Sequence, residues 1–192
     1  METIVLKTDS LRMTEDEFFN FCQENKQLRM ERDRYQNIYI MSPTGNKTSI
    51  YNSEINLQLA LWNRQVKLGY IFDSNVGFTL PNGAVRSPDA AFIYKERFDK
   101  LPEKDKERFG HICPDFVIEL KSPSDSIKYL TDKMDEWMEN GCRLAFLILP
   151  ESQEVHVYKP GNPVIVKNIS EKIPGENVLP GFGLDLGFMQ SA

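Results

Sequence analysis

The stretch Pro114-Asp115-Phe116-Val117-Ile118-Glu119-Leu120-Lys121 decides the reading of this chain, together with the shorter Ser87-Pro88-Asp89-Ala90-Ala91-Phe92-Ile93 that precedes it. Both have the form of strands entered through a proline. From Phe116 the side chains alternate, so Phe116, Ile118 and Leu120 share one face while Val117, Glu119 and Lys121 share the other. A carboxylate and an amine two positions apart then project side by side from a strand whose opposite face is apolar. If the Asp89 strand pairs next to it, a second carboxylate joins them. Asp89 and Glu119 would supply hard oxygen ligands for a divalent cation. Lys121 would supply positive charge or a proton acceptor beside an attacked phosphate.

Taken alone, Glu-x-Lys on a strand is ordinarily the solvated face of a half-buried strand with a weak ion pair. The context here argues for more. Ser122-Pro123-Ser124-Asp125-Ser126 stops the strand and offers caps for a following helix. Charges at the end of a sheet strand that feeds a helix lie where open sheets carry their sites.

The order Pro-Asp, apolar strand, Glu-x-Lys resembles the PD-(D/E)xK nuclease superfamily. More closely, Arg86-Ser87-Pro88-Asp89-Ala90, the string from Cys113 to Ser126, and Val178-Leu179-Pro180-Gly181-Phe182 resemble a bacterial putative restriction endonuclease family of unknown function. The resemblance runs from Met41 to the C-terminus. It implies a restriction-endonuclease-like fold with a Mg2+ site, Mn2+ being the alternative ion, held by Asp89 and Glu119 with the backbone carbonyl of Leu120. In that family an acidic residue on the helix before the two strands completes the site, and Glu54 occupies that position here as a metal ligand or a partner of one.

At 192 residues with ordinary apolar and charged content, the chain is expected to form one domain over residues 1–192. The segment Met1 to Ser10 is mixed and interrupted by Lys7 and Asp9, which fits neither a signal peptide nor a membrane span and points to the cytoplasm. Cys22, Cys113 and Cys142 are odd in number and lack paired metal spacing, as suits buried thiols in a reducing compartment. The net charge of −5 argues against a surface coated for non-specific nucleic-acid binding. A carboxylate cluster is itself acidic until its cation binds, and a local groove can be basic on an acidic body.

In chain order, Thr14-Glu15-Asp16-Glu17 is a capping-box pattern that opens a helix over residues 15–26, with Phe18, Phe19 and Phe21 as core or dimer contacts. Leu28 to Met41 forms one or two strands turning near Arg34; its arginines are either solvated charge, the favoured reading, or a phosphate-contacting edge. Gly45-Asn46-Lys47-Thr48 lacks the glycine spacing of a phosphate-binding loop. A long helix over 49–68 buries Tyr51, Ile55, Leu59, Trp62 and Val66 and is closed by Gly69. Tyr70 to Leu80 is a strand pair or bent strand, and the Asp89 strand begins near Pro88 or lies at a sheet edge. Lys95 to His111 reads as a charged, helix-like insertion with a break at Leu101-Pro102, making a surface excursion. With His111 and His156 the only histidines, neither a zinc site nor a histidine-based triad is supported.

After Lys121, a helix over 127–140 packs through Leu130, Met134, Trp137 and Met138 and ends at Asn140-Gly141. Lys133 on this helix is a possible phosphate contact. Arg143 to Leu149 is a buried central strand, Glu154 to Tyr158 another, Val164 to Val166 an edge strand, and Val178 to Phe182 a packing plug. The expected fold is α/β: a mixed central sheet around the Asp89, Glu119 and Arg143–Leu149 strands, flanked by helices, with an N-terminal helix and hairpin. The expected activity is a Mg2+-dependent endodeoxyribonuclease acting through Asp89, Glu119 and Lys121. The alternative is a non-catalytic nucleic-acid-binding or assembly module that keeps the fold. Cutting both strands of a duplex is simplest with two sites, so a homodimer is expected, with the Phe-rich helix and the arginines near residue 30 as the places to look for its interface.

Overall fold

The computed structural model describes residues 4–8 and 12–190. The reading of residues 1–10 as neither leader nor span falls partly outside them. In chain order the elements are β1 (Ile4–Leu6), α1 (Glu15–Glu24), β2 (Arg29–Arg32), β3 (Ile38–Met41), α2 (Asn46–Val66), β4 (Gly69–Asp73), β5 (Phe78–Thr79), β6 (Val85–Arg86), β7 (Ala90–Tyr94), α3 (Lys95–Phe98), α4 (Glu103–Lys106), β8 (Gly110–His111), β9 (Phe116–Leu120), α5 (Ile127–Glu139), β10 (Leu144–Leu149), β11 (Glu154–Tyr158), β12 (Ile165–Asn168), β13 (Ile173–Pro174) and β14 (Gly183–Leu184). Among the described residues, no helix is long and apolar enough to cross a membrane.

One six-stranded sheet has the order β12-β11-β10-β9-β7-β4. It is mixed, because β9 and β10 run parallel while β7 is antiparallel to both β9 and β4. β10 is apolar at every position and buried throughout, as a strand covered on both faces must be. Its alternate residues Leu144, Phe146 and Ile148 join Phe116, Ile118 and Leu120 of β9 under Tyr51, Ile55, Leu59 and Trp62 of α2. The other set, Ala145, Leu147 and Leu149, joins Val117 under Leu130, Met134 and Trp137 of α5. The two helices therefore cover opposite faces of one sheet, and the period of two along β9 sends Glu119 to the α5 side. The plug at Val178, Leu179 and Phe182 is buried in the α2-side core, with Trp62 Nε1–H donating to the Pro180 carbonyl at 3.0 Å.

A second six-stranded sheet, β1-β3-β2-β6-β5-β8, is built from the N-terminal hairpin and short strands. The capping box forms, as Thr14 Oγ1 accepts from the Glu17 amide and the Glu17 carboxylate accepts from the Thr14 amide. Phe18 is fully buried with Met30, Ile38 and Val85. Arg32 is not solvated as expected: it is 2% exposed, lies 4.8 Å over the Phe18 ring and donates to the Met13 and Thr14 carbonyls. Phe18 and Arg32 thus tie the helix to the hairpin and are not available for a dimer contact.

Three other expectations are corrected. The helix before the Asp89 strand starts at Asn46, capped by Gly45, and ends where Lys67 takes a left-handed φ of 56°, which leaves Val66 39% exposed. Gly69 serves β4 instead, because a Cβ there would run into the Ile93 carbonyl and the Phe92 ring of the paired strand. The segment 95–111 is more than a surface excursion, since β8 pairs in parallel with β5 and Phe109 meets the Phe18 and Phe19 rings at 6.1 and 5.1 Å. The Asp89 strand does begin next to Pro88, as one of the two readings had it, and β7 is an inner strand between β9 and β4.

His111 closes α1 against α4. Its Nε2 lies 2.7 Å from Glu15 Oε2 and its Nδ1 3.1 Å from Asp105 Oδ1, while Lys104 and Arg108 face Asp16. The hydrogen bond to Glu15 raises the imidazole above its ordinary 6.5, burial opposes this, and Asp105 adds to it. A group whose folded value is raised contributes stability that is fully present below its unfolded value and is lost as pH rises through the folded one. The melting-temperature advantage of the wild type over His111→Gln should therefore be full below pH 6.5 and shrink as pH rises through and above neutrality. A constant difference across that range would show that His111 does not act through its charge.

Candidate active site

β7 and β9 bring Asp89 and Glu119 together at the carboxyl end of β9. Asp89 lies one residue before β7, and its amide donates to the Ile118 carbonyl at 3.1 Å. Its Oδ2 accepts from the Leu120 amide at 2.8 Å, and its Oδ1 accepts from Asn52 Nδ2 of α2 at 3.1 Å. Asn56 Nδ2, one turn further on, donates to the Asp89 carbonyl at 3.1 Å. Pro88 and Pro150 stand where the strands on either side of β9 begin and end, and neither can donate a backbone hydrogen bond to the end of β9. Burial raises the Asp89 carboxyl above the usual range, against the opposing Leu120 amide and Lys133 charge.

Glu119 is 3% exposed and faces α5. Its Oε1 accepts from Trp137 Nε1–H at 2.9 Å, and Lys133 Nζ lies 2.9 Å from Oε1 and 3.1 Å from Oε2. Lys133 is also held by Glu31 Oε1 at 2.8 Å and the Ser87 carbonyl at 3.0 Å, which uses all three ammonium hydrogens. Glu31 of β2 is fully buried and accepts further from Arg86 at 3.2 Å, Tyr129 Oη at 3.1 Å and the Ser87 amide at 3.0 Å. Arg86 reaches Glu136 Oε2 at 2.5 Å. The result is a buried chain of alternating charge: Glu136, Arg86, Glu31, Lys133, Glu119.

This chain sorts its carboxylates. Burial alone would raise Glu31, but Lys133 and Arg86 on either side bring it below the ordinary carboxylate range. Glu119 has one cation and two like charges. Burial raises it to about 7, opposed by Lys133 and reinforced by Asp89 and Glu31. With Asp89 included, four carboxylates face two cations, so the excess negative charge lies on the Asp89 and Glu119 side.

The sequence-based candidates fall in different places. Asp89, Glu119 and Leu120 line one cleft of about 440 Å³, with Asn52, Lys133, Arg29, Lys47 and the loop 122–125. Lys121 follows β9 in register, its amide donating to the Ile148 carbonyl, but its Nζ is turned to Glu151 and to the Ser122 carbonyl, each at 3.2 Å. Glu54 lies beside a different groove with Lys47, Ile50, Tyr51 and Phe188. On α2 it is Asn52, not Glu54, whose side chain meets Asp89. Sequence reasoning missed Glu31, Arg86, Asn52, Tyr129, Glu136 and Trp137. Tyr129, Lys133, Glu136 and Trp137 recur at helical spacing, a signal that was present. The polar strand of Glu31 and the two-residue strand of Arg86 carry none.

The cleft suits a hard cation. Asn52 Oδ1 is buried beside Asp89 without a hydrogen-bond partner, and an amide oxygen readily ligates Mg2+ or accepts a hydrogen bond from an ordered water. Among the described residues, no group of three or more His, Cys, Asp or Glu side chains is arranged around a metal position. A cation here would rest on the Asp89 and Glu119 carboxylates, neutral oxygens and water, which is the way Mg2+ is usually held.

A family model described as Uma2, putative restriction endonuclease, matches residues 15–187. Among solved structures, the crystal structure of a putative nuclease belonging to DUF820 from Anabaena variabilis superposes with a TM-score of 0.74 over 94% of this chain and 98% of that chain, at 22% identity. That likeness establishes the nuclease-like α/β fold. No curated protein matches the chain.

Proposed function

We propose that this chain, which belongs to the Uma2 family of putative restriction endonucleases, hydrolyses DNA phosphodiester bonds with a divalent cation, Mg2+ or Mn2+, at the Asp89–Glu119 cleft. The observation that carries the reading is the convergence of two raised carboxyl groups and the unpartnered Asn52 oxygen on one solvent-accessible cleft. When bound, the cation would lower the pKa of a water and neutralise charge developing on the scissile phosphate. The chain's own residues prepare that position. The Leu120 amide and Asn52 fix the Asp89 carboxylate, while Trp137 and Lys133 fix that of Glu119. Arg29 and Lys47, on the cleft wall, would meet the substrate's phosphates.

Lys121 would orient the attacking water and stabilise charge on the phosphate. Its partner Glu151 is 66% exposed while the Lys121 side chain is 15% exposed, so turning the lysine toward the cleft gives up one largely solvated ion-pair partner and the Ser122 carbonyl. Lys133 is less suited to grip phosphate directly, because its hydrogens are already engaged, and it would act by holding Glu119.

A second reading, a nucleic-acid-binding module that does not cut, draws support from the same ion pair: Lys133 already compensates Glu119 and would compete with a cation. Thermal melts separate the two. On the nuclease reading, Mg2+ or Mn2+ in large excess over its Kd raises the melting temperature, by about 2.7 kcal/mol of stabilisation at a hundredfold excess, and Asp89→Ala loses that response. Equal melts with and without cation would favour the non-cutting module.

A further inference from the structure

The outward side of α2 carries a stripe that no other described element covers. Ile50, Leu57 and Leu61 are 64%, 50% and 47% exposed, on the side of the helix away from Tyr51, Ile55, Leu59 and Trp62. With Glu54 and Arg64 they recur at alternating steps of four and three residues, the a/d spacing of a coiled-coil seam. A helix with an apolar stripe on each side has a use for two partners, and the sheet supplies only one. Glu54 and Arg64 have no ion-pair partner among the described residues.

We propose that this seam docks a second copy of the chain, with the two α2 helices antiparallel about a two-fold axis near Leu59. In that register Leu57 meets the partner's Leu61 and Glu54 meets the partner's Arg64, and the symmetry repeats both contacts. Sliding the helices by one seam position in either direction sets Glu54 against the partner's Leu57, or Arg64 against the partner's Leu61. Each would leave a charge facing a leucine. The one register that pairs both charges also pairs the leucines, and this self-complementarity selects a second copy over an unrelated partner. Ile50 and the groove of about 300 Å³ beside it, lined by Lys47, Tyr51 and Phe188, take the far end of the partner helix. At 1.5 Å per residue the two Asn52 side chains lie about 20 Å apart along the helix pair, so the dimer carries two Asp89–Glu119 clefts on one particle. The surface differs from the N-terminal helix, whose Phe18 is already buried.

The test is sedimentation velocity on the full chain at micromolar to tens-of-micromolar concentration, with circular dichroism melts to confirm folding. The wild type should sediment at twice the 22.2 kDa of one chain. Leu57→Glu with Leu61→Glu should give a folded monomer. Glu54→Arg and Arg64→Glu should each weaken association at least tenfold, and the two together should restore it. A monomeric wild type, a dimer that survives the double leucine substitution, or a charge reversal that fails to restore association would overturn the proposal.

Discussion

Replacing Glu31 with alanine lowers stability by about 3–5 kcal/mol, an effect on the order of 10 °C in melting temperature for a chain of this size. Glu31 is fully buried and receives Lys133, Arg86, Tyr129 and the Ser87 amide. Its removal leaves two buried cations with one carboxylate each and strands two neutral donors. A pair's worth and the cost of breaking it differ, so replacing Glu31 and Lys133 together by apolar residues should recover part of the loss. Chemical denaturation read by tryptophan fluorescence measures this. A change below about 1 kcal/mol for Glu31→Ala would mean that the charge chain does not tie β2 to α5.

Lys121→Ala should leave the melt within about 1 kcal/mol of wild type, because its partner Glu151 is largely exposed. The same substitution should lower the cleavage rate by about two to four orders of magnitude, if the lysine turns into the cleft when substrate binds. Lys133→Ala should do the reverse in one respect: it removes a buried cation between Glu31 and Glu119 and destabilises the fold as well as the reaction. Measuring both properties in both variants separates a lysine that touches substrate from one that positions a carboxylate. Full activity in Lys121→Ala would move the chemical role away from the strand end.

Much of the architecture was legible because it follows from periodicities. The apolar run Leu144–Leu149 had to be a covered strand, and the stripes of α2 and α5 had to face it. Phe116, Ile118 and Leu120 alternate cleanly, so the side on which Glu119 emerges could be derived before any coordinates. The second sheet was only partly legible. Its β5, β6 and β8 are two residues each, too short to show a period, and their positions depend on partners distant in sequence.

The site was legible in proportion to its locality. Asp89 and Glu119 announce themselves through proline, strand and carboxylate on adjacent segments. What surrounds them comes from β2, β6, α2 and α5, and is assembled only in three dimensions. Arg32 shows the difficulty: beside Arg29 and Arg34 it has the appearance of surface charge, yet it is buried over Phe18, and nothing in its neighbours in sequence distinguishes it. Glu54 and Asn52 differ by two positions on one helix, which turns one toward the groove at Phe188 and the other toward Asp89.

The central claim is that the Asp89–Glu119 cleft cuts phosphodiester bonds. Its most direct test is the rate at which purified protein converts supercoiled DNA to nicked and linear forms in Mg2+ or Mn2+, beside Glu119→Ala prepared identically and shown by its melt to be folded. Cutting by the wild type with none by the variant is the result this account predicts. Equal cutting by both, or none by the wild type on supercoiled, linear and single-stranded DNA with either cation, would contradict it.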